Sequence, residues 1–186
     1  MVRIHPLHYR SSNGRLMFQN ILDGYDSVAK TYPSVVLNVP ETVSRRMDFD
    51  LSDSETMLVS SILKHSDVML NMFSTMVIEA AIFDLPSVNV CIREKCRADF
   101  GRSRQDIMID YVQTHNQRVV QTGGVKTVFT MNELYDAVNL YLDKPETDEA
   151  GRELIIKNEA GSFRGNAGET IGNHILSLAG CYPQGK

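Results

Sequence analysis

The amino-acid sequence predicts an α/β fold in which a Rossmann-like parallel sheet is flanked by helices. Short apolar runs of strand length alternate with segments of helix length through the first half of the chain. In the longer segments apolar residues recur at helical spacing, and capping residues or prolines stand at the ends. Such alternation is typical of βαβ units, which build parallel sheets. We expect one domain over residues 1–180, closed by C-terminal helices, and a loose tail over residues 181–186.

Five short runs, most of them rich in β-branched residues, predict the strands. They are Val2–Ile4, Ser34–Asn38, Asp67–Asn71, Ser87–Ile92 and Val125–Phe129. Two helices are announced by the capping boxes Ser52-x-x-Glu55 and Thr130-x-x-Glu133. The other predicted helices are Phe18–Thr31, a helix that starts at Ser74 and Thr75 and stops at Pro86, Gln105–Thr114, Asp148–Glu159 and Gly165–Leu178. The polar, arginine-rich residues 94–104 predict a loop.

The composition limits the class of protein. The chain has 186 residues, of which 42% are hydrophobic and 23% charged, as in ordinary soluble globular proteins. Its net charge of −4 gives no basic field for a nucleic-acid backbone, so we expect no nucleic-acid partner. No apolar run approaches the roughly 18 residues of a membrane span. Three cysteines without a CxxC pair indicate a reduced, cytoplasmic protein.

Several kinds of site are not predicted. No His/Cys pair has the spacing of metal ligands, so we expect no metal. The GxSxG elbow of hydrolases and the GxGxxG fingerprint of dinucleotide-binding folds are both absent from the sequence. We therefore expect neither a Ser/His/Asp hydrolase nor a resident cofactor.

The segment from Asp67 to Ala81 carries the most specific signal for a binding site. A predicted strand leads into a turn with two hydroxyl side chains, Ser74 and Thr75, and the turn opens a helix. Ligands of open α/β sheets bind beyond the carboxyl ends of strands, and the N–H groups at a helix start suit a diphosphate. Glu79 lies four residues after Thr75 on the same helix face, where a carboxylate can accept hydrogen bonds from both hydroxyls of a ribose. The alternative is that Ser74 is only an N-cap and Glu79 an exposed helix residue.

The run from Glu79 to Pro86 resembles a helix of GT-B glycosyltransferases and UDP-GlcNAc 2-epimerases, in which a glutamate seven residues before a proline binds the donor ribose. Residues 66–90, SDVMLNMFSTMVIEAAIFDLPSVNV, are similar to bacterial surface-polysaccharide glycosyltransferases and CDP-glycerol glycerophosphotransferases. Weaker similarities to that group follow in the expected order along the chain. They lie at His5-Pro6, His115–Gly124, Glu133–Arg152 and Ser162–Leu176.

The resemblance implies the C-terminal, donor-binding half of a GT-B glycosyltransferase, with a nucleotide-activated sugar as its substrate. The GT-B reaction takes place between two domains, so the acceptor domain and the catalytic base are expected in a preceding N-terminal domain or a partner chain. Two positions depart from the pattern: Asp84 stands where many members have glycine, and Gly165-Asn166-Ala167 lacks an aspartate. The donor-binding set expected from the motifs and the resemblance together is His5, Ser74, Thr75, Glu79, His115, Gly123 and Gly124.

Simpler roles stay open for the outlying members of this set. His5 also suits a turn before Pro6, His115 a solvated loop, and Gly123-Gly124 a plain β-turn. Three alternative functions stay open as well. They are half of a UDP-GlcNAc 2-epimerase, a CDP-glycerol glycerophosphotransferase, and a non-catalytic Rossmann-like module that mediates assembly.

Overall fold

A computed structural model of the chain describes residues 1–5, 19–40, 52–93 and 106–180. The chain divides into two compact units, Met1–Ile62 and Leu63–Lys186. Both units combine helices with a small parallel sheet, which confirms the predicted α/β class. The predicted loop over residues 94–104 and the predicted tail over residues 181–186 lie outside the described residues.

The first unit holds a two-stranded parallel sheet. Strand β1 (Val2–Arg3) pairs with β2 (Leu37–Asn38), and helix α1 (Gln19–Thr31) precedes β2 along the chain. Helix α2 (Asp53–Lys64) begins in this unit. Ile4, directly after β1, is 2% exposed and belongs to the buried hydrophobic residues.

Polar contacts fix the start of α2. Ser52 Oγ accepts the N–H of Glu55 at 3.3 Å, so the predicted N-cap is present. The Arg3 guanidinium donates to Glu55 Oε2 at 2.8 Å and also to the Asn38 side-chain oxygen. Because both groups of the Arg3–Glu55 pair are largely buried, this contact ties the β1–β2 sheet to α2.

The second unit contains a three-stranded parallel sheet with the order β3-β4-β5. The strands are β3 (Met69–Asn71), β4 (Ser87–Val90) and β5 (Lys126–Val128). In the described residues the strands thus form two parallel sheets, and each strand is shorter than its apolar run predicts. The reason is that strand ends are set by hydrogen-bonded pairing with a neighbour, whereas an apolar run only reflects burial.

The helices of the second unit are α3 (Met76–Ile82), α4 (Ile107–Tyr111), α5 (Thr114–Gln121), α6 (Met131–Asp143), α7 (Glu149–Ile155), which continues as a π-helical turn (Ile156–Ala160), and α8 (Ala167–Leu178). Four of them pack on the two faces of this sheet. Val88 and Val128 pack with Ala137 and Tyr141 of α6 on one face. On the other face, Val77 and Ala81 of α3, Val119 of α5 and Ile155 of α7 form a second cluster with Val125.

The predicted short helix over Gln105–Thr114 is observed in part as α4 (Ile107–Tyr111), whereas α5, which begins at Thr114, was not predicted. The break between them is stabilised by side chains at the start of α5. Asn116 Nδ2 donates to the Asp110 carbonyl at 2.7 Å, and Gln117 Nε2 donates to the Tyr111 carbonyl at 2.5 Å. These amides satisfy carbonyls at the end of α4, which local helix signals do not reveal.

Arg152 on α7 is the largest fully buried side chain of the described residues. Its Nε donates to Asp84 Oδ1 at 2.7 Å, and its two Nη atoms donate to the carbonyls of Thr147 and Pro145 at 2.7 and 2.9 Å. Asp84 follows α3 with φ of 54°, a left-handed conformation that favours glycine. The Arg152 contact explains why an aspartate stands there.

Gly124 and Gly151 meet backbone to backbone where α7 crosses the turn before β5. A Cβ atom on Gly151 would lie 2.3 Å from the Gly124 nitrogen, and one on Gly124 would lie 2.3 Å from the Gly151 carbonyl carbon. Only glycine at both positions permits this approach. Gly123 has φ of 73°, which the turn itself requires.

Candidate functional site at the carboxyl edge of the three-stranded sheet

The turn after β3 is held by the side chain of Asn71, the last residue of the strand. Asn71 Oδ1 accepts the N–H of Ser74, and Asn71 Nδ2 donates to the Ser74 carbonyl, each at 3.1 Å. Phe73, inside this turn, has φ of 55°, which is rare for a large side chain. The amide of Asn71 therefore fixes both ends of the Ser74 residue at the carboxyl edge of the sheet.

Ser74 acts as the cap of α3. Its Oγ accepts the N–H of Met76 at 3.3 Å, and its carbonyl accepts the N–H of Val77 at 3.2 Å. The hydroxyl of Thr75 makes no capping hydrogen bond, and Thr75 is exposed. Two N–H groups of the first turn are thus already bonded within the turn, whereas the hydroxyls of the exposed residues Ser74 and Thr75 each keep a hydrogen to donate.

Glu79 lies on α3, four residues after Thr75, and is exposed. Its carboxylate has no hydrogen-bond or ion-pair partner within the part of the chain that the structure describes. Residues at this spacing are neighbours on one helix face. A hydroxyl donor and a carboxylate acceptor are therefore available side by side to a polar ligand.

A row of polar side chains crosses the sheet just inside this turn. Asn71 pairs in register with Asn89 of β4, and Asn89 pairs with Thr127 of β5, so the three side chains share one sheet face. Asn89 is 2% exposed, and Asn71 Nδ2 approaches Asn89 Oδ1 at 3.5 Å. The Thr127 hydroxyl is fully enclosed and has no hydrogen-bond partner among the described residues.

Aromatic rings lie beyond this polar row. Phe73 and Phe129 stand two residues after Asn71 and Thr127, just past the ends of β3 and β5. Tyr111 of α4 contacts both, with its ring centroid 5.8 Å from that of Phe73 and 5.4 Å from that of Phe129. The carboxyl edge thus combines uncharged polar groups with aromatic surface.

Cys91 lies directly after β4, and its backbone N–H donates to the Val128 carbonyl at 2.8 Å. The thiol is 1% exposed and contacts the Met108 sulfur at 3.7 Å. Burial raises the pKa of the Cys91 thiol, and the nearby Asp106 carboxylate raises it further. A buried thiol with a raised pKa is a poor nucleophile, so Cys91 contributes packing here.

An ion pair stands at the start of α4. Arg93 donates through Nε to Asp106 Oδ1 at 3.1 Å and through Nη2 to Oδ2. Asp106 also caps α4 by accepting the N–H of Met108 at 3.0 Å. The Arg93 guanidinium and this N–H bond lower the pKa of the Asp106 carboxyl, which keeps the cap ionised near neutral pH.

The structure brings together only part of the predicted donor-binding set. Ser74, Thr75 and Glu79 lie on one turn and its helix. Gly123 and Gly124 precede β5, so they lie at the amino edge of the sheet, opposite the Ser74 turn.

The two predicted histidines lie elsewhere. His115 is exposed in the first turn of α5, where a loop was expected. His5 is exposed in the first unit. Their contacts to a donor stay predictions.

Asn71, Asn89, Thr127 and the aromatic rings were not predicted as site residues. The available signal was a polar residue inside each short apolar strand, in MLN, SVNV and KTV. Their alignment in one row depends on the strand register, which the sequence does not show.

Two kinds of feature are absent from the described residues. No group of three or more His, Cys, Asp or Glu side chains there is arranged to hold a metal ion. None of the helices in these segments has the length and apolar character needed to cross a bilayer.

Comparisons with protein-family models, curated proteins and solved structures found no match to this chain. The GT-B resemblance therefore stays a prediction.

Proposed function

We propose that the second unit is a Rossmann-like domain that binds a nucleotide-activated sugar as the donor half of a GT-B-type glycosyltransferase. The observation that carries this proposal is that the accessible Thr75 hydroxyl and the Glu79 carboxylate lie on one helix face, directly after a turn fixed by Asn71. The carboxylate has no partner among the described residues. Both groups stand at the carboxyl edge of a parallel sheet, where ligands of open α/β folds bind.

Each group has a distinct task in this proposal. Glu79 accepts hydrogen bonds from the ribose hydroxyls, because a carboxylate is an acceptor of high strength for two neighbouring hydroxyls. Thr75 and the start of α3 face the diphosphate. Since two N–H groups of the first turn are already bonded within the turn, the hydroxyls of Ser74 and Thr75 are the donors available there. His115 is a further candidate ligand at the start of α5.

In the intact enzyme these groups stabilise the negative charge that develops on the departing nucleoside diphosphate. The acceptor and its general base come from a second half, supplied by a further domain or a partner chain. No residue of this chain is therefore proposed as the catalytic base. A UDP-GlcNAc 2-epimerase half and a CDP-glycerol glycerophosphotransferase would also bind a nucleoside diphosphate group. A preference for UDP or for CDP separates these two.

A non-catalytic assembly module is the second candidate, and one observation favours it. Helix α8 exposes Ile171, Ile175 and Leu178, at 60%, 58% and 76%, on one helical face. An apolar face of this kind is typical of a surface that packs against another protein segment. Its partner is not identified by any contact of the described residues.

Calorimetric titration of the chain with UDP, CDP and GDP tests the proposal. We expect one of the three to bind, and Glu79→Ala to weaken that binding by about tenfold or more, because a charge-assisted hydrogen bond contributes about 1.5–3 kcal/mol. Glu169→Ala, at an exposed carboxylate on α8, is the matched control and should bind like the unmodified chain.

Two results would contradict the proposal. Absence of binding by all three nucleotides at millimolar concentration would favour the assembly module, which light scattering would then test through the oligomeric state. Equal binding by the Glu79→Ala and Glu169→Ala variants would remove the ribose role of Glu79 while leaving nucleotide binding in place.

A further inference from the structure

Thr127 and Phe129 are two features of the carboxyl edge that ribose and phosphate binding do not use. The Thr127 hydroxyl is enclosed and has no hydrogen-bond partner in the described part of the chain. Burial of a hydroxyl without a partner is unfavourable, so such groups are rare in folded proteins. The Thr127 hydroxyl is buried despite this unfavourable free energy, so it is a candidate for a function.

The ring of Phe129 is both fixed and accessible. The backbone N–H of Phe129 donates to Glu133 Oε2 at 2.6 Å, which anchors the residue to the first turn of α6. Its ring meets Tyr111 in a T-shaped arrangement, at an interplanar angle of 87°, and the residue remains 42% exposed. A held aromatic ring loses little conformational freedom when a planar ligand stacks on it.

The charges of the surrounding residues limit the class of ligand. Asn71, Asn89 and Thr127 are uncharged, and the neighbouring rings of Phe73 and Phe129 are apolar. The Glu133 carboxylate, which accepts the Phe129 N–H, disfavours an anionic group here. The apolar rings suit an uncharged, planar ring with hydrogen-bonding atoms on its edge. A nucleobase has this chemistry.

We propose that Thr127 and Phe129 form the base-binding subsite of the nucleotide site. The base stacks on the Phe129 ring and exchanges a hydrogen bond with the Thr127 hydroxyl. This inference rests on the proposed function, since it names the groups that take the base while Thr75 and Glu79 take the phosphate and ribose. Because the hydroxyl is enclosed, binding includes a local rearrangement of the side chains around it.

We expect replacement of Thr127 by valine to stabilise the fold and to weaken nucleotide binding. Valine keeps the branched shape and removes the buried unpaired hydroxyl, so Thr127→Val should raise the midpoint of urea unfolding. The same variant should bind the nucleotide about threefold to tenfold more weakly, as expected for one lost hydrogen bond. A hydroxyl with only a structural role would not lower affinity while stability rises.

Loss of the Phe129 ring tests the stacking contact. Phe129→Ala should weaken binding about tenfold or more, in line with base–aromatic stacking elsewhere. Phe129→Leu removes the aromatic face but keeps an apolar side chain, so it separates the loss of stacking from a folding defect. Phe163→Ala is the matched control, because Phe163 is also exposed, at 57%, and makes no ring contact with a described residue.

Titrations use uridine, cytidine and guanosine beside UDP, CDP and GDP, with each variant checked by circular dichroism. Nucleotide binding that depends on Glu79 but is unchanged in Thr127→Val and Phe129→Leu overturns this inference and leaves the proposed function standing. Nucleoside binding that depends on Phe129 and Thr127 but not on Glu79 supports the base subsite and overturns the ribose role. Absence of binding by any nucleoside or nucleotide overturns both.

Discussion

Replacement of Asp84 by glycine tests how the second unit holds α7. Asp84 has φ of 54°, and glycine is the residue that adopts such a conformation without strain. Its carboxylate is the ion-pair partner of Arg152, whose side chain is only 2% exposed. We expect Asp84→Gly to lower the free energy of unfolding, although the backbone conformation alone predicts an increase.

The magnitude follows from two opposing terms. A hydrogen bond to a charged group contributes about 1.5–3 kcal/mol, and we take about 2 kcal/mol because the Asp84 side chain is 62% exposed. Glycine relieves the strain of the left-handed backbone, which raises the free energy of unfolding by about 1 kcal/mol. The net loss for Asp84→Gly is therefore about 1 kcal/mol. Asp84→Ala loses the pair without relief of strain, so it should cost about 2–3 kcal/mol.

Urea unfolding at pH 7, followed by far-ultraviolet circular dichroism and by tyrosine fluorescence, measures these differences. Because the chain has two compact units, agreement of the two probes is needed before a single free energy is assigned. Asp136→Ala, at an exposed aspartate of α6, is the control and should change stability by less than about 0.5 kcal/mol. An Asp84→Gly chain as stable as the unmodified chain, or more stable, would contradict this prediction, since relief of strain would then offset the whole loss of the Arg152 contact.

Three further predictions concern packing and titration. Gly151→Ala should destabilise by about 3 kcal/mol or more, because its Cβ would meet the Gly124 backbone, whereas Gly172→Ala in open space should be neutral or slightly stabilising; urea midpoints measure both. Burial raises the pKa of the Tyr141 phenol, so its neutral form is favoured on folding, and this stability is present below about pH 10 and lost above it. The stability advantage of the unmodified chain over Tyr141→Phe should therefore shrink in urea titrations as pH rises past that value. Alkylation of Cys91 by iodoacetamide, measured on its peptide by mass spectrometry, should be at least about tenfold slower in the native chain than in urea.

Each of these has a result that would contradict it. Equal urea midpoints for Gly151→Ala and Gly172→Ala would mean that α7 shifts without cost. A constant gap between the unmodified and Tyr141→Phe chains from pH 8 upward would show that the phenol titrates alike in both states. Fast alkylation of native Cys91 would mean that the region around α4 opens readily.

Much of the local structure follows from signals close in sequence. Ser52 and Thr130 cap their helices as their capping boxes predict, with the N–H groups of Glu55 and Glu133 donating to the two hydroxyls. The helix predicted over Phe18–Thr31 is observed as α1. Such signals act within one helical turn, so a short window of sequence contains them.

The candidate site was predictable only in part. The Ser74 turn and the position of Glu79 on the following helix follow from a strand, a hydroxyl pair and an amphipathic pattern. Asn71 as the residue that fixes the turn was not predicted, because its side chain bonds to a backbone group across a bend rather than along a helix. The same limit applies to α5, whose start is stabilised by the side-chain amides of Asn116 and Gln117.

Signals close in sequence predict the α/β class, most of the helices and strands, and the strand–turn–helix motif at Ser74, but not α5. Tertiary structure decided which side chains meet. Register brings Asn71, Asn89 and Thr127 into one row, and packing joins Asp84 to Arg152 across 68 positions. The physical reason is that helix caps and periodicity depend on neighbours in sequence, whereas strand register and buried ion pairs depend on the whole core folding together.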